Sequence, residues 1–360
     1  MAVSCNGHYD WAKALKEFDE TKAGVKGLVD AGVTKLPRLF VHPPETLHSR
    51  PKLDGVHLDL PTIDFQGLEA RRSEVVEEIR KASQEWGFFR IVNHGIPLEK
   101  MDAMLAAVKR FHEQPTEVKM RWYSADARKF VKLSSNLPSR ENDSASWRDI
   151  LSCVFNDDQL PEDLPLACRN EMVEYLKYMI ELREIMAELL SEALGLPSDY
   201  LSNIECMKSE ALAGLYYPKC PEPEKTLGTP KHSDTTFLTL LMQDSTGGLQ
   251  ILHEDHWIDV PPVRGALIAN IGDLMQIISN DKFISVEHRV VAQPVGPRIS
   301  VACFFSPSVR AAAKPFAPIK ELLSDENPAV YREFMFREYT QHYKTKGDHV
   351  GSALLHYKIR

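Results

Sequence analysis

The second half of the chain consists of short β-rich runs separated by Gly, Pro and Asp, and this texture begins after about Ser209. Many short strands at such spacing favour a closed or double-layered antiparallel barrel, because closure protects the edges of the sheets. We therefore predict a mainly β fold with helices, in which a double-stranded β-helix (jelly-roll) core is surrounded by α-helices. The predicted strands are Gly214–Tyr217, Thr236–Met242, Leu249–Leu252, Trp257–Val260, Ala266–Ile271, Ser285–Ala292 and Arg298–Phe305.

The first half has mixed α/β patterning, and the Pro-rich stretch Pro37–Pro51 predicts an extended arm. Apolar residues recurring every 3.6 positions predict helices, and β-rich runs predict strands. The predicted helices are Ser73–Trp86, Leu98–His112, Cys168–Leu194 and the tail segment Val330–Tyr343, and the predicted strands are Leu58–Phe65 and Phe88–Val92. The chain therefore divides into an N-terminal region over 1–205 that packs on the barrel, a jelly-roll core over 206–325, and a C-terminal helix and tail over 326–360.

Composition excludes several classes of function. Lys and Arg total 43 against 51 Asp and Glu, and no cluster of basic residues marks a nucleic-acid surface. No apolar run approaches the ~20 residues of a membrane span, and the N-terminus lacks the pattern of a secretory signal. The six cysteines contain no C-x-x-C pair, which favours a reducing compartment. We expect a soluble, cytoplasmic, enzyme-sized protein, monomeric by default, with no nucleic-acid or membrane partner.

One group of side chains in the β-rich half points to a metal. His232 and Asp234 are two positions apart at the start of a strand-like run, so on an extended chain both would face the same side. His288 lies in a later β-branched run and would supply the third ligand. Two imidazoles and one carboxylate occupy one face of an octahedron, which suits non-haem Fe(II) and oxygen chemistry and lacks the thiolates of structural zinc.

A second pair follows soon after. Arg298 and Ser300 share one face of the last predicted strand. A guanidinium inside a barrel needs an anionic partner, and its planar fork matches a carboxylate. The far end of a dicarboxylic co-substrate would meet that need. Phe304, farther along the same face, would stack on the substrate, and Trp147-Arg-Asp149 would lie at the mouth of the cavity.

In this order and β context, the motifs resemble those of plant 2-oxoglutarate/Fe(II)-dependent dioxygenases. Within that family the chain is similar to the branch of aminocyclopropane-carboxylate-oxidase homologs and desacetoxyvindoline 4-hydroxylase. The resemblance runs from about Ala14 to the C-terminus. Its segments are Phe18–Gly27, Trp86–Phe89, Val92–Pro97, Tyr216–Pro221, Gly247–Gln250, Asn280–Phe283 and Pro297–Ser300.

The resemblance implies roles for individual residues. The catalytic metal ligands fall on His232, Asp234 and His288, the 2-oxoglutarate pair on Arg298 and Ser300, and a further co-substrate contact on the Tyr217 hydroxyl. One position departs from the family's N-x-Y motif, because Leu215 stands where that motif has Asn. Leucine has no side-chain donor.

The reaction expected from the resemblance is oxidation of a small molecule by O2, coupled to decarboxylation of 2-oxoglutarate to succinate and CO2. Hydroxylation of a plant specialised metabolite is the default outcome, with demethylation or desaturation as variants and ascorbate as reductant. Two alternatives stay open. One is an ascorbate-dependent, ethylene-forming oxidase of the aminocyclopropane-carboxylate type. The other is a jelly-roll protein that binds a small molecule without catalysis.

Overall fold

The computed structural model describes residues 9–47, 59–126, 128–135, 144–346 and 353–359. Its α-helices, α1 to α12, are Trp11–Thr21, Gly24–Asp30, Pro44–Leu47, Leu68–Glu85, Leu98–His112, Thr116–Lys119, Arg169–Ala193, Tyr200–Asn203, Asp273–Ile278, Val309–Ala312, Phe336–Lys346 and Leu354–Tyr357. Its strands, β1 to β14, are Thr62–Asp64, Phe88–Val92, Val131–Ser134, Asp149–Phe155, Ser209–Tyr217, Leu227–His232, Leu238–Gln243, Leu249–His253, His256–Asp259, Leu267–Ile271, His288–Val291, Arg298–Ser306, Pro315–Phe316 and Phe334–Met335.

Two sheets form the jelly-roll core. The larger has eight strands in the order β1-β2-β10-β7-β12-β5-β4-β3, and the smaller has four in the order β6-β11-β8-β9. Apart from the parallel pair β1 and β2, neighbouring strands are antiparallel. This confirms the predicted fold class.

The hydrophobic core has separate layers. The largest cluster lies between the eight-stranded sheet and helices α4, α5 and α7, whose apolar faces supply Ile79, Met104 and Met179. A smaller cluster fills the interior of the barrel and includes Ile150, Leu215, Tyr217, Val290 and Ala302. Alternate residues of β5 and β12 thus belong to the two clusters, as the two-residue period of a strand requires.

Most of the elements that the periodicity of apolar residues did not predict are determined by pairing with segments distant in sequence. The helices Leu98–His112 and Cys168–Leu194 and the strand Arg298–Phe305 were predicted to within a residue at either end. Strands β3, β4 and β6 and helices α1, α2 and α9 were not predicted. The three strands are placed by their partners across the sheet, and no strong alternation of their own marks them.

Two predictions about the ends of the chain were wrong in part. The described part of the expected extended arm, residues 37–47, contains a 3-10 turn at Arg38–Phe40 and the short helix α3; residues 48–51 lie outside the described chain. The tail helix begins at Phe336, because Phe334 and Met335 first pair with β13.

Two predicted strands are shorter than expected. Only His288–Val291 of the predicted strand Ser285–Ala292 is a strand. Of the predicted strand Leu58–Phe65, Thr62–Asp64 is a strand, and Leu58 lies outside the described residues.

Strands β1 to β4 come from the part of the chain before residue 206, yet they belong to the eight-stranded sheet. The division at 1–205, 206–325 and 326–360 stays a proposal about organisation along the sequence.

No helix within the described ranges is long and apolar enough to cross a membrane. The five described cysteines are buried and carry no disulfide, and Cys5 lies outside the described chain.

Candidate metal centre and co-substrate site

The three predicted ligands lie together at one end of the four-stranded sheet. His232 is the last residue of β6 and His288 is the first of β11, and the two are direct partners in the antiparallel register. Asp234 Oδ1 lies 3.6 Å from His232 Nε2 and 3.7 Å from His288 Nε2. One ligand atom from each residue falls within 4.8 Å of the others, so the three could hold a single ion.

The expectation that one strand holds both His232 and Asp234 was wrong. Strand β6 ends at His232, and Asp234 lies in the loop that leads to β7. Hydrogen bonds orient the carboxylate instead: Oδ2 accepts from Thr239 Oγ1 at 2.6 Å and from Asn270 Nδ2 at 2.8 Å. These two bonds leave Oδ1 to face the histidines.

Backbone carbonyl groups fix the direction of both imidazoles. His232 Nδ1 lies 2.9 Å from the carbonyl oxygen of Pro230, and His288 Nδ1 lies 3.2 Å from that of Val286. A carbonyl oxygen only accepts, so each Nδ1 carries the proton and each Nε2 presents a lone pair toward Asp234. This is the usual outer arrangement around a metal-binding histidine.

The charges at the site suit a divalent cation. Burial lowers the pKa of His232, although the Asp234 carboxylate opposes the effect, so the imidazole is neutral near pH 7. Burial alone would raise the pKa of Asp234, but His288, His232 and the two hydrogen bonds outweigh it, and the pKa lies below its ordinary value. Two imidazole nitrogens and an ionised carboxylate form the donor set that leaves positions open on Fe(II). The residues present therefore fit that metal.

Arg298 is buried in the same barrel, with 1% of its surface exposed. Its Nε donates to the carbonyl oxygen of Gly247 at 2.6 Å, its Nη1 to Ser300 Oγ at 3.0 Å, and its Nη2 to Gln243 Oε1 at 3.0 Å. All three acceptors are neutral, and among the described residues no carboxylate lies within ion-pair distance. The guanidinium is thus held rigidly while its charge stays unbalanced, as a receptor for a carboxylate requires.

Tyr217 lies beside Arg298, with the guanidinium 4.8 Å from the centre of its ring. Its hydroxyl lies 3.1 Å from Thr229 Oγ1 on β6. The ring packs against Gly228 so closely that a Cβ built there would lie 2.7 Å from Tyr217 Cδ1. Leu215, two residues earlier on β5, belongs to the same apolar interior and is paired in register with Ile150 of β4.

The predicted substrate residue, Phe304, is half-buried and packs against the barrel interior. It shares the inward face of β12 with Ala302, and partly exposed apolar side chains lie around the same cluster. These neighbours are Trp86, Leu241 and Val286.

Sequence reasoning missed several residues of the site. Thr239, Asn270 and Gln243 each hold a predicted site residue through one hydrogen bond, and nothing in their sequence context marks them. The Trp147-Arg-Asp149 stretch, expected at the mouth of the cavity, lies deeper. Trp147 is fully buried, and its Nε1 donates to the carbonyl oxygen of Pro218 at 3.2 Å. Arg148 is buried too, and its positive charge helps to lower the pKa of His232.

Comparison with known proteins identifies the class of protein to which this fold and site belong. Residues 208–307 match the 2OG-Fe(II) oxygenase superfamily, and residues 60–175 match the N-terminal domain described as non-haem dioxygenase in morphine synthesis. The chain is 49% identical over 354 residues to 1-aminocyclopropane-1-carboxylate oxidase homolog 1 of Arabidopsis thaliana, covering 97% of each protein. The chain belongs to the 2OG-Fe(II) oxygenase family and is an enzyme of that class.

Individual relatives agree over nearly the whole chain. Homolog 6 of the same plant is 48% identical over 355 residues, covering 98% of this chain and 99% of the relative. The crystal structure of JOX2 in complex with 2OG, Fe and JA has a TM-score of 0.81 at 31% identity, with 94% of this chain and 98% of JOX2 covered. The dioxygenase for auxin oxidation in rice shares the fold, with a TM-score of 0.69 at 24% identity and coverage of 84% and 100%.

Proposed function

We propose that this enzyme hydroxylates a small plant specialised metabolite. His232, Asp234 and His288 bind Fe(II), while Arg298, Ser300 and Tyr217 bind 2-oxoglutarate. Phe304 contacts the substrate. One observation carries the proposal. The same barrel contains a cluster of three possible metal ligands and a buried arginine whose charge no described carboxylate balances.

The protein's part in this reaction is binding and orientation. Bound iron supplies the redox chemistry with O2, in which 2-oxoglutarate becomes succinate and CO2. Ser300 and Gln243 hold the guanidinium of Arg298 in one position, so the distal carboxylate of the co-substrate is placed before the reaction begins. Thr239 and Asn270 do the same for the metal-binding carboxylate. The apolar interior excludes water around the substrate.

Several features of the proposal come from composition and from the relatives. The plant relatives and the structure of JOX2 with JA support a small organic substrate. In this proposal ascorbate keeps the metal reduced and the protein acts as a monomer. The protein is located in the cytoplasm, which suits a chain whose described cysteines are all free.

The experiment that tests the assignment is an anaerobic titration of the metal-free full chain, first with Fe(II) and then with 2-oxoglutarate. We expect a visible iron-to-keto-acid charge-transfer band in the wild type. Asp234→Ala should lose both bound iron and the band, whereas Asp102→Ala, which removes a surface carboxylate paired with Arg264, should retain both. Iron binding that persists in Asp234→Ala would refute the ligand assignment.

A second assay separates the proposal from the ethylene-forming alternative, which the name of the Arabidopsis relatives brings into consideration. Aerobic turnover should require 2-oxoglutarate and release succinate. Ethylene from 1-aminocyclopropane-1-carboxylate, formed with ascorbate and without 2-oxoglutarate, would favour the alternative.

A further inference from the structure

A second buried arginine faces the same barrel, and neither the proposed metal ligands nor the proposed co-substrate residues use it. Arg148, which immediately precedes β4, is 8% exposed. Its Nη1 donates to Thr229 Oγ1 at 2.5 Å, and its Nε is buried without a hydrogen-bond partner among the described residues. A buried guanidinium with an unused donor is costly, so the position calls for an acceptor that the described chain does not supply.

The other buried arginines of the described chain are better satisfied. Arg183 forms ion pairs with Asp158, Glu184 and Glu210. Arg289 donates to Gln250 and to the carbonyl of Leu47, and its guanidinium lies over the ring of Trp257. Arg298 uses all three nitrogens, as described above. Among the buried arginines that the structure describes, Arg148 is therefore the one whose guanidinium most lacks a partner.

The contacts of Arg148 place its unpaired Nε donor beside the proposed metal centre. Thr229, which accepts from Arg148, also meets the Tyr217 hydroxyl and lies three residues before His232 on β6. Thr229 is paired in register with Val290, which belongs to the apolar interior of the barrel. The guanidinium of Arg148 thus lies beside the apolar interior of the barrel, where the proposed function places the substrate.

The charges of the loaded site leave Arg148 without a counterion. With Fe(II) and 2-oxoglutarate bound, the two charges of the metal and the one of Arg298 would balance the Asp234 carboxylate and the dianionic co-substrate. Lys231, the other cation beside His232, is already paired with Glu287 at 2.7 Å. The remaining positive charge in the site is that of Arg148, and no described carboxylate lies within 4 Å of it.

We propose that Arg148 binds a carboxylate of the substrate, so the substrate is a small molecule with an apolar body and an anionic group. The inference rests on the proposed function, because it assumes that the cavity receives the substrate. The carboxylate pairs with Nε and the free edge of the guanidinium, while the body of the molecule lies along Phe304 and the apolar interior of the barrel against which Phe304 packs. Arg148 then acts by positioning, since it fixes which carbon of the substrate faces the metal.

The test uses binding and does not depend on turnover. The full chain, loaded anaerobically with Fe(II) and 2-oxoglutarate, is titrated by calorimetry with three matched pairs: phenylacetate and phenylacetamide, cinnamate and cinnamamide, hexanoate and hexanamide. In the wild type we expect at least one acid to bind about tenfold or more tightly than its amide. Arg148→Met should abolish that preference, Arg148→Lys should retain part of it, and the surface variant Arg264→Met should leave it unchanged.

Each other outcome is informative. Absence of any acid preference in the wild type overturns the proposal, as does a preference that survives in Arg148→Met. If Arg148→Met instead weakens 2-oxoglutarate binding, measured by the charge-transfer band, and leaves the acid preference intact, the carboxylate in question belongs to the co-substrate and the proposal fails. If the wild type forms no charge-transfer band at all, the proposed function is what fails. Should Arg148→Met not fold, Arg148→Lys and Arg148→Gln, checked by melting temperature, carry the comparison.

Discussion

Asp149 Oδ1 accepts a hydrogen bond from the backbone N–H of Val25 at 2.8 Å, across 124 positions of sequence. The other carboxylate oxygen accepts from the N–H of Lys26, also at 2.8 Å, so one side chain binds the first turn of α2. Asp149 belongs to β4, next to the strand that carries Tyr217. Helix α2 is therefore attached directly to the wall of the barrel.

Gly24→Ala tests this attachment. Gly24 has φ of +70°, and an added Cβ would lie 2.5 Å from Asp149 Oδ1. We expect a loss of roughly 2–4 kcal/mol in the free energy of unfolding, from the strained backbone and from displacement of the carboxylate. Gly32→Ala is the matched control, because φ there is +78° and nothing lies within 4 Å of the added atom. Equal losses in denaturant unfolding of the two variants would assign the whole effect to backbone strain.

Thr239→Val should weaken the metal site without removing a ligand. Valine keeps the shape of threonine but cannot donate to Asp234 Oδ2, where the present bond is 2.6 Å long. Loss of such an outer contact typically costs about 10–100-fold in metal affinity. Competition with a chelator measures the affinity, and Thr239→Ser should restore most of it. Unchanged affinity in the valine variant would mean that Asn270 alone orients the carboxylate.

Gly228→Ala should weaken binding of 2-oxoglutarate. The new Cβ would lie 2.7 Å from Tyr217 Cδ1 and would push the ring away from its place beside Arg298. Overpacking of about 1–2 kcal/mol corresponds to roughly a tenfold rise in the dissociation constant, measured by the charge-transfer titration. Gly214→Ala is the control, since its added atom would meet Val108 at 2.9 Å on the other side of β5. A rise of equal size in both variants would contradict a specific role of the Tyr217 ring.

Leu215→Asn should tighten binding of the co-substrate. It places a side-chain donor in the barrel interior, two residues from Tyr217, at the position where the family's N-x-Y motif has asparagine. A hydrogen bond to a charged group contributes about 1.5–3 kcal/mol, so a roughly tenfold or larger gain in 2-oxoglutarate affinity is expected. Leu215→Ala creates space without a donor and should give no gain. An equal gain in both variants would show that space, and not hydrogen bonding, limits binding.

His112 should make the fold sensitive to acid. The ring is completely buried, its Nε2 lies 3.0 Å from the carbonyl oxygen of Gly214, and burial lowers its pKa to about 3. A folded-state pKa below that of the unfolded chain contributes stability above about pH 6.5 that is lost as the pH falls toward 3. Between pH 7.5 and 4.5 the wild type should lose roughly 2–3 kcal/mol more than His112→Gln, which keeps a donor but does not titrate. Parallel pH profiles of the unfolding free energy would contradict this account.

The sequence predicted those parts of the site whose chemistry is carried by residue type. Two histidines and an aspartate in a β-rich region were enough to predict a cluster that the fold does bring together, and the predicted arginine–serine pair is joined by a hydrogen bond. The prediction that one strand holds both His232 and Asp234 was wrong, since Asp234 lies in a loop, where two hydrogen bonds orient its carboxylate. Such a loop conformation depends on Thr239 and Asn270, which come from two other strands.

The parts that escaped prediction depend on distant partners. Asp149 binds a helix that lies far away in sequence, and β4 was not predicted as a strand, so its alternation could not be used. Arg148 is adjacent to Asp149 in sequence. Only the pairing of the strands shows that Asp149 binds helix α2 and that Arg148 faces the barrel. Residue type alone does not distinguish these two roles.

The carboxylate of Asp234 and the two imidazoles are held by contacts within the protein, so the proposed metal ligands are already in place before any ion binds. A cage of nitrogen and oxygen donors does not favour iron over its neighbours in the periodic table, and its intrinsic affinity for copper and zinc is higher. We therefore expect the supply of metal in the cell to decide which ion occupies the site. We expect zinc or copper in excess to inhibit the enzyme reversibly, because either ion would occupy the proposed iron site while the fold stays intact.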